Sequence, residues 1–147
     1  MKKRIDASAL TSVVGTLYPS PYDVPCRPRE RTKLGDAAGL SQFGVNLLHL
    51  PPGAWSSQRH WHTREDEFVY VLFGEVVLVT DGGEEVLRAG DAAGFPAGDT
   101  NGHCLQNRSN AESSGTAVTS FQHPPSKRMT NAWSISSAIP LRTPHAR

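Results

Sequence analysis

The sequence has few cysteines and almost no net charge. Only Cys26 and Cys104 occur among 147 residues, which is too few for a disulfide framework, and their separation does not suit a paired-thiol zinc site. This usage predicts a reducing compartment. The formal net charge of +1 gives no overall attraction to nucleic acid or to an anionic membrane. We therefore expect a small-molecule ligand or substrate, with no nucleic-acid and no membrane partner.

Apolar segments long enough for a membrane span or a signal peptide are also absent. The longest apolar run, 68–73, is far shorter than the roughly 20 residues that a transmembrane helix needs. The basic start of the chain is not followed by the continuous apolar stretch of a signal peptide. These two absences predict a cytoplasmic protein.

Helical periodicity over ten or more residues is missing between residues 41 and 107, whereas short strand-like segments recur there. The stretch TDGGEE at 80–85 offers Asp-Gly or Gly-Gly to a tight hairpin, where positive φ values are needed. Strands are predicted at 41–50, 57–62, 67–73, 75–80, 84–88, 92–95 and 102–107, and 116–121 could add one more. Many short strands joined by Gly/Pro turns predict an all-β fold, an antiparallel sandwich or barrel.

The two ends of the chain differ from this region. Residues 1–40 are rich in proline, arginine and glycine, and their apolar residues show neither helical nor strand periodicity. This pattern predicts an extended N-terminal arm that wraps around or pairs with the rest. Residues 123–147 also keep no sustained period, which favours a solvated C-terminal tail. The predicted organisation is therefore an arm (1–40), a barrel (41–122) and a tail (123–147).

The segment FVYVLF, 68–73, is apolar at both alternating sets of positions. A strand of this kind needs cover on both faces, which the facing sheet, the arm or a second subunit could supply. The pattern favours a homodimer.

The stretch RHWHTREDE, 59–67, contains candidate metal ligands. Side chains two apart in an extended chain share a face, so His60 and His62 would project together. Imidazole is a common ligand for transition metals, and a carboxylate from the next strand would complete a mixed nitrogen and oxygen shell with open positions. Glu67 is the favoured carboxylate because it opens that strand. Glu65 and Asp66 are interpreted as solvated turn residues.

A lone His-x-His pair is more often structural than metal-binding, and a third histidine changes that balance. His103 lies in GHCLQN, a second strand-like segment after a Pro/Gly turn. If the strands are neighbours, three histidines and Glu67 can converge. Cys104 has the opposite parity and is interpreted as a small buried apolar residue.

The two segments resemble the two conserved motifs of the cupin superfamily. The first motif is seen in GAWSSQRHWHTREDEFVYVLFGEV, with His60, His62, Glu67 and Gly74 in its positions. The second is seen in GDAAGFPAGDTNGHCLQN, with Gly90, Pro96, Gly98, His103 and Asn107 in its positions. Gly53 and Gly98 lie slightly further from the following histidine than the family spacing, but both fall in turns, where insertions are tolerated.

The resemblance implies a double-stranded β-helix, a jelly-roll barrel in which His60, His62, Glu67 and His103 bind one divalent transition metal ion. Zinc, iron, manganese and nickel all remain open, because ligand type alone does not choose among them. The reaction is open too: dioxygenase or isomerase chemistry on a small organic molecule, or a non-catalytic sensor or binding role. Gln58 shares the inward parity of His60 and is predicted to line the pocket, whereas Arg59 has the opposite parity.

Overall fold

The computed structural model describes residues 3–110 and 116–122, the latter as backbone. The predicted all-β fold is confirmed. The strands are β1 (Val13–Val14), β2 (Glu30–Lys33), β3 (Gly44–Leu50), β4 (Glu67–Phe73), β5 (Glu75–Thr80), β6 (Gly83–Arg88), β7 (Ala92–Phe95), β8 (Cys104–Gln106) and β9 (Thr116–Gln122). Between β2 and β3 lies one short helix, α1 (Leu34–Ala37), and the arm contains two 3-10 turns, Ala7–Ala9 and Val24–Cys26. None of the described helices is long and apolar enough to cross a membrane. The cytoplasmic location stays a prediction.

The strands form two antiparallel sheets that enclose one apolar core. One sheet has the order β1-β2-β3-β9-β4-β7, and the other has the order β6-β5-β8. Side chains alternate between the faces of each strand, so every second residue points inward. The buried side chains of the core are Leu48, Leu50, Ala54, Val69, Val71, Val76, Leu78, Leu87 and Leu105. Each buried Val or Leu stabilises the fold by about 1.5–3 kcal/mol relative to exposure.

The predicted hairpin at 80–85 is present. Thr80 pairs with Gly83 across a turn made by Asp81 and Gly82, and Gly83 has a φ of 121°, a conformation that glycine adopts without steric cost. The turn joins β5 to β6.

The strand predicted at 57–62 does not form. In this region the backbone makes isolated bridges instead, Trp55 with Gln106 and His60 with His103. The partners of this segment lie on different elements: the amide of His60 donates to His103, the carbonyl of His62 accepts from Gly98, and the Gln58 side chain donates to Tyr22 of the arm. Partners on several elements thus replace a regular ladder.

The N-terminal arm pairs with the sheet, as predicted. Strand β2 runs antiparallel to β3, with Thr32 opposite Leu47, and β1 pairs in turn with β2. The division of the chain at residue 40 stays a prediction. The tail, 123–147, lies outside the described residues.

The second face of β4 is partly exposed. Val69 and Val71 are buried in the core, whereas Phe68, Tyr70 and Leu72 are 43%, 39% and 48% exposed. The facing sheet therefore supplies one of the two covers that the sequence predicts. The homodimer, which would supply the other, stays a prediction.

Asn107 joins three segments of the barrel end. Its side-chain amide donates to the carbonyl of Leu50 at 2.8 Å, and its Oδ1 accepts from the amide of Ser109 at 2.9 Å. Its own amide donates to the carbonyl of Ala54, and its carbonyl accepts from Gly53. Only 1% of Asn107 is exposed, so these polar groups have no access to water as an alternative partner.

We expect Asn107→Ala to lower the free energy of unfolding by about 1–3 kcal/mol, because it leaves the buried carbonyl of Leu50 unsatisfied. Urea denaturation measures the change. The matched control is Asn110→Ala at an exposed position, which should change stability by less than about 0.5 kcal/mol. Equal effects of the two substitutions would contradict the structural role of Asn107.

Candidate metal centre

A backbone bridge places His60 directly opposite His103. The amide of His60 donates to the carbonyl of His103 at 3.2 Å, and the amide of His103 donates back at 2.9 Å. Residues that are directly opposite in an antiparallel pair project their side chains to the same side. The bridge therefore brings the two sequence segments to one site, although they lie far apart along the chain.

Glu67 reaches the same site from the start of β4. It is paired with Phe95 of β7, and the Phe95 ring lies flat against the His103 imidazole, with ring centroids 3.5 Å apart and an interplanar angle of 7°. The stacked ring holds His103 beside the carboxylate. The distance from His103 Nε2 to Glu67 Oε2 is 3.0 Å.

The structure brings the four predicted ligands together. His62 Nε2 lies 3.2 Å from Glu67 Oε2 and 3.2 Å from His60 Nε2, and His60 Nε2 lies 3.7 Å from the same carboxylate oxygen. The nitrogen and oxygen ligand atoms of His60, His62 and Glu67 all lie within 4.8 Å of one another. A group of this kind could hold a metal ion. The assignment of these residues as ligands stays a prediction.

The second ring nitrogens of two histidines face hydrogen-bond acceptors. His60 Nδ1 lies 2.9 Å from the carbonyl of Gln58, which can only accept, so the network assigns the proton to Nδ1. His62 Nδ1 lies 3.5 Å from the carboxylate of Glu65. In a neutral ring with a protonated Nδ1, Nε2 carries the lone pair that binds a metal. Both Nε2 atoms point toward Glu67.

The electrostatics of the site favour a cation. Burial alone would raise the pKa of Glu67, but the hydrogen bond from His103 and the nearby imidazoles of His60 and His62 outweigh it and hold this pKa well below 4.5. The hydrogen bond with Glu67 raises the pKa of His62, while burial lowers the pKa of His103. Metal binding to such a site displaces protons, and three imidazoles with one carboxylate suit a divalent transition metal.

Glu65 is a residue whose role the sequence did not reveal. It was interpreted as a solvated turn residue, yet its carboxylate faces His62 Nδ1 and its side chain is only 22% exposed. Carboxylates in this position orient metal-binding histidines in many proteins. The spacing of three residues from His62 could have suggested the contact. Asp66 is an exposed turn residue, and its Oδ1 accepts from the amide of Ala97.

Gln58 and Arg59 are both engaged elsewhere in the chain. The side-chain amide of Gln58 donates to the carbonyl of Tyr22 in the arm at 2.6 Å, and its predicted place in a substrate pocket stays a prediction. The Arg59 guanidinium donates to the carbonyl of Gly102 at 2.7 and 3.1 Å and pairs with Asp81. Arg59 thereby anchors the residue that precedes His103.

Comparisons with known proteins agree with this fold. The family model of the cupin domain matches residues 46–118. A crystal structure of a cupin-superfamily sugar phosphate isomerase from Silicibacter pomeroyi is 44% identical, with a TM-score of 0.78, and the match covers 82% of this chain and 75% of that chain. The chain therefore belongs to the cupin superfamily. Its fold is the predicted double-stranded β-helix.

Two further structures are similar. A protein from Acidithiobacillus ferrooxidans, provisionally named a sugar phosphate isomerase, is 30% identical, with a TM-score of 0.61 over 66% of this chain and 60% of that chain. A protein from Thermotoga maritima, provisionally named an oxalate decarboxylase, is 21% identical, with a TM-score of 0.65 over 82% of this chain and 97% of that chain, and shows the fold alone. The comparison with curated proteins finds no match.

In the metal-free protein, we expect the free energy of unfolding to fall as the pH drops below about 4.5. The pKa of Glu67 is lower in the folded chain than its ordinary value of 4.5, so its stabilisation is complete above that value and is lost as the pH falls through the folded-state pKa. Glu67→Gln should weaken this dependence, as measured by urea denaturation with a chelator present. The exposed Glu85→Gln is the control and should keep the wild-type profile. If Glu67→Gln keeps the wild-type dependence of stability on pH, the lowered pKa of Glu67 in the folded chain is refuted.

Proposed function

We propose that this protein binds one divalent transition metal ion through His60, His62, Glu67 and His103 and catalyses the isomerisation of a sugar phosphate. The observation that carries the metal site is the convergence of three imidazole Nε2 atoms on one buried carboxylate oxygen. Zinc, iron, manganese and nickel are all compatible with this donor set.

The relative from Silicibacter pomeroyi supports the reaction. It is named a sugar phosphate isomerase and shares 44% of its residues with this chain in the matched region. For this reason isomerase chemistry is favoured over the dioxygenase chemistry that the sequence also allowed. When bound, a divalent ion would polarise a carbonyl or hydroxyl oxygen of the sugar and so acidify the neighbouring carbon.

The residues of the chain supply position and exclusion of water. The side chains of His103, His60 and Glu67 are 4%, 10% and 11% exposed, and His62 is the most open of the four at 16%. Interactions with charged groups are stronger in such a dry site than in water. The Phe95 ring stacked on His103 and the carboxylate of Glu65 beside His62 restrict the orientation of two of the proposed ligands.

Metal content tests the proposed ligand set directly. We expect protein purified without an affinity tag to contain about one transition metal ion per chain, and His60→Ala and His103→Ala to lose most of it because three ligands hold such ions far less tightly than four. Elemental analysis gives the stoichiometry. The control is His49→Ala, whose side chain is 46% exposed on β3 and which should keep full occupancy. Unchanged occupancy in both site variants would exclude the site.

The reaction is tested by incubating the metal-loaded protein with aldose and ketose phosphates and with the corresponding unphosphorylated sugars. We expect interconversion of a phosphorylated pair, followed by NMR, with kcat/KM lowered about 100-fold or more in His103→Ala because the bound ion is lost. His49→Ala should keep the wild-type value. Saturable binding of sugar phosphates without turnover would instead identify a non-catalytic binding protein.

A further inference from the structure

The N-terminal arm holds the segment that leads into the first histidine. We define residues 55–58 as the approach loop. The amide of Trp55 donates to the carbonyl of Pro25 at 2.9 Å, and the Arg29 guanidinium donates through Nη1 to the carbonyl of Ser56. The backbone of two consecutive loop residues is therefore hydrogen-bonded to the arm, once to a carbonyl and once to a side chain.

The end of the approach loop is hydrogen-bonded to the arm as well. The side-chain amide of Gln58 donates to the carbonyl of Tyr22 at 2.6 Å. Backbone groups with such partners lose the freedom that an exposed loop normally has. The loop has only a short connection to β8, through hydrogen bonds between Ser56 and Leu105, and the arm adds a second set of restraints.

The approach loop in turn sets the orientation of His60. The carbonyl of Gln58 lies 2.9 Å from His60 Nδ1, and the hydroxyl of the buried Ser57 lies 3.1 Å from the same nitrogen. The carbonyl can only accept, so its position selects the tautomer with the proton on Nδ1 and the lone pair on Nε2. The loop therefore helps to orient the His60 ring so that Nε2 faces the centre.

Arg29 is the only charged side chain that the described hydrogen bonds connect from the arm to this loop. Its Nε donates at 3.0 Å to the carbonyl of Gly15, so one guanidinium bridges the start of the arm and the approach loop. Burial lowers the pKa of Arg29, but a guanidinium stays protonated in proteins. Charge-assisted hydrogen bonds of this kind are roughly twice as strong as neutral ones.

We propose that Arg29 is a positioning residue of the metal centre, which fixes the approach loop so that His60 presents Nε2 toward Glu67. The arm is then part of the functional site, although it contributes no ligand. This inference rests on the proposed function for the metal, while its effect on the His60 ring is independent of metal.

The test compares full-length Arg29→Met with wild type in two measurements. The first is the tautomer of His60 in the metal-free protein, read from long-range proton–nitrogen NMR spectra and assigned with His60→Ala. We expect the Nδ1-protonated form in wild type and a mixture in Arg29→Met. The second is Co2+ titration, in which Arg29→Met should bind about tenfold more weakly and show an altered visible absorption band. Arg29→Lys, which keeps the charge but loses the fork of donors, should recover part of the affinity.

The matched control is Thr32→Val. Thr32 is buried on β2, and its hydroxyl is hydrogen-bonded to the hydroxyl of Ser12 at 2.7 Å. The variant therefore weakens the arm without removing a contact of the approach loop. It should lose stability but keep wild-type affinity for Co2+. Should Arg29→Met not fold, Gln58→Leu removes the tie to Tyr22 instead and should shift the tautomer in the same direction.

The outcomes separate the two proposals. If wild type and Thr32→Val bind Co2+ equally and Arg29→Met matches them in affinity and tautomer, the positioning role is wrong and the metal site stands. If wild type binds no Co2+, the proposed function fails, and the tautomer of His60 alone decides the role of Arg29. A shift toward Nε2 protonation in Arg29→Met supports that role, and an unchanged tautomer overturns it.

Discussion

The buried carboxylate of Glu67 is the constraint around which this structure is arranged. A negative charge at this depth is tolerated only if several groups compensate it, and His60, His62 and His103 all direct Nε2 toward one of its oxygens. Those histidines come from two chain segments that a single backbone bridge holds opposite each other. The strands, the bridge and the stacked Phe95 ring can be understood as the framework that brings this charge and its partners into one place.

The need to satisfy buried backbone groups explains the second notable feature, the irregular path before His60. A regular strand at this point would pair its amides and carbonyls with neighbouring strands. Instead, the amide of Trp55 donates to Pro25 and the carbonyl of Ser56 accepts from Arg29, both in the N-terminal arm, while the amide of Ser56 donates to Leu105. Every buried amide and carbonyl needs a partner, and here a segment distant in sequence provides it. The arm thus has a role beyond adding β1 and β2 to the edge of the sheet.

Much of the fold could be predicted because it depends on local patterns. The boundaries of β4 follow from a short apolar run, those of β5 and β7 follow from Gly/Pro turns, and the Asp81-Gly82 turn follows from the φ values that only some residues adopt. The segment 57–62 was wrongly predicted as a strand because its pattern is compatible with one. Its hydrogen-bond partners are spread over Tyr22 of the arm, Gly98 and His103, and no local pattern encodes partners that are distant in sequence.

The sequence by itself determined the all-β class, the cupin resemblance and the identities of the four candidate ligands, because spacing and residue type carry that information. Only the tertiary structure decided which atoms meet. The Glu65 carboxylate faces His62. The Gln58 side chain is hydrogen-bonded to the carbonyl of Tyr22, and the Arg29 guanidinium is hydrogen-bonded to the carbonyl of Ser56. These contacts join side chains and carbonyls whose positions are set by packing of the whole chain. Long-range contacts of this kind follow from the three-dimensional arrangement of the strands rather than from any short stretch of residues.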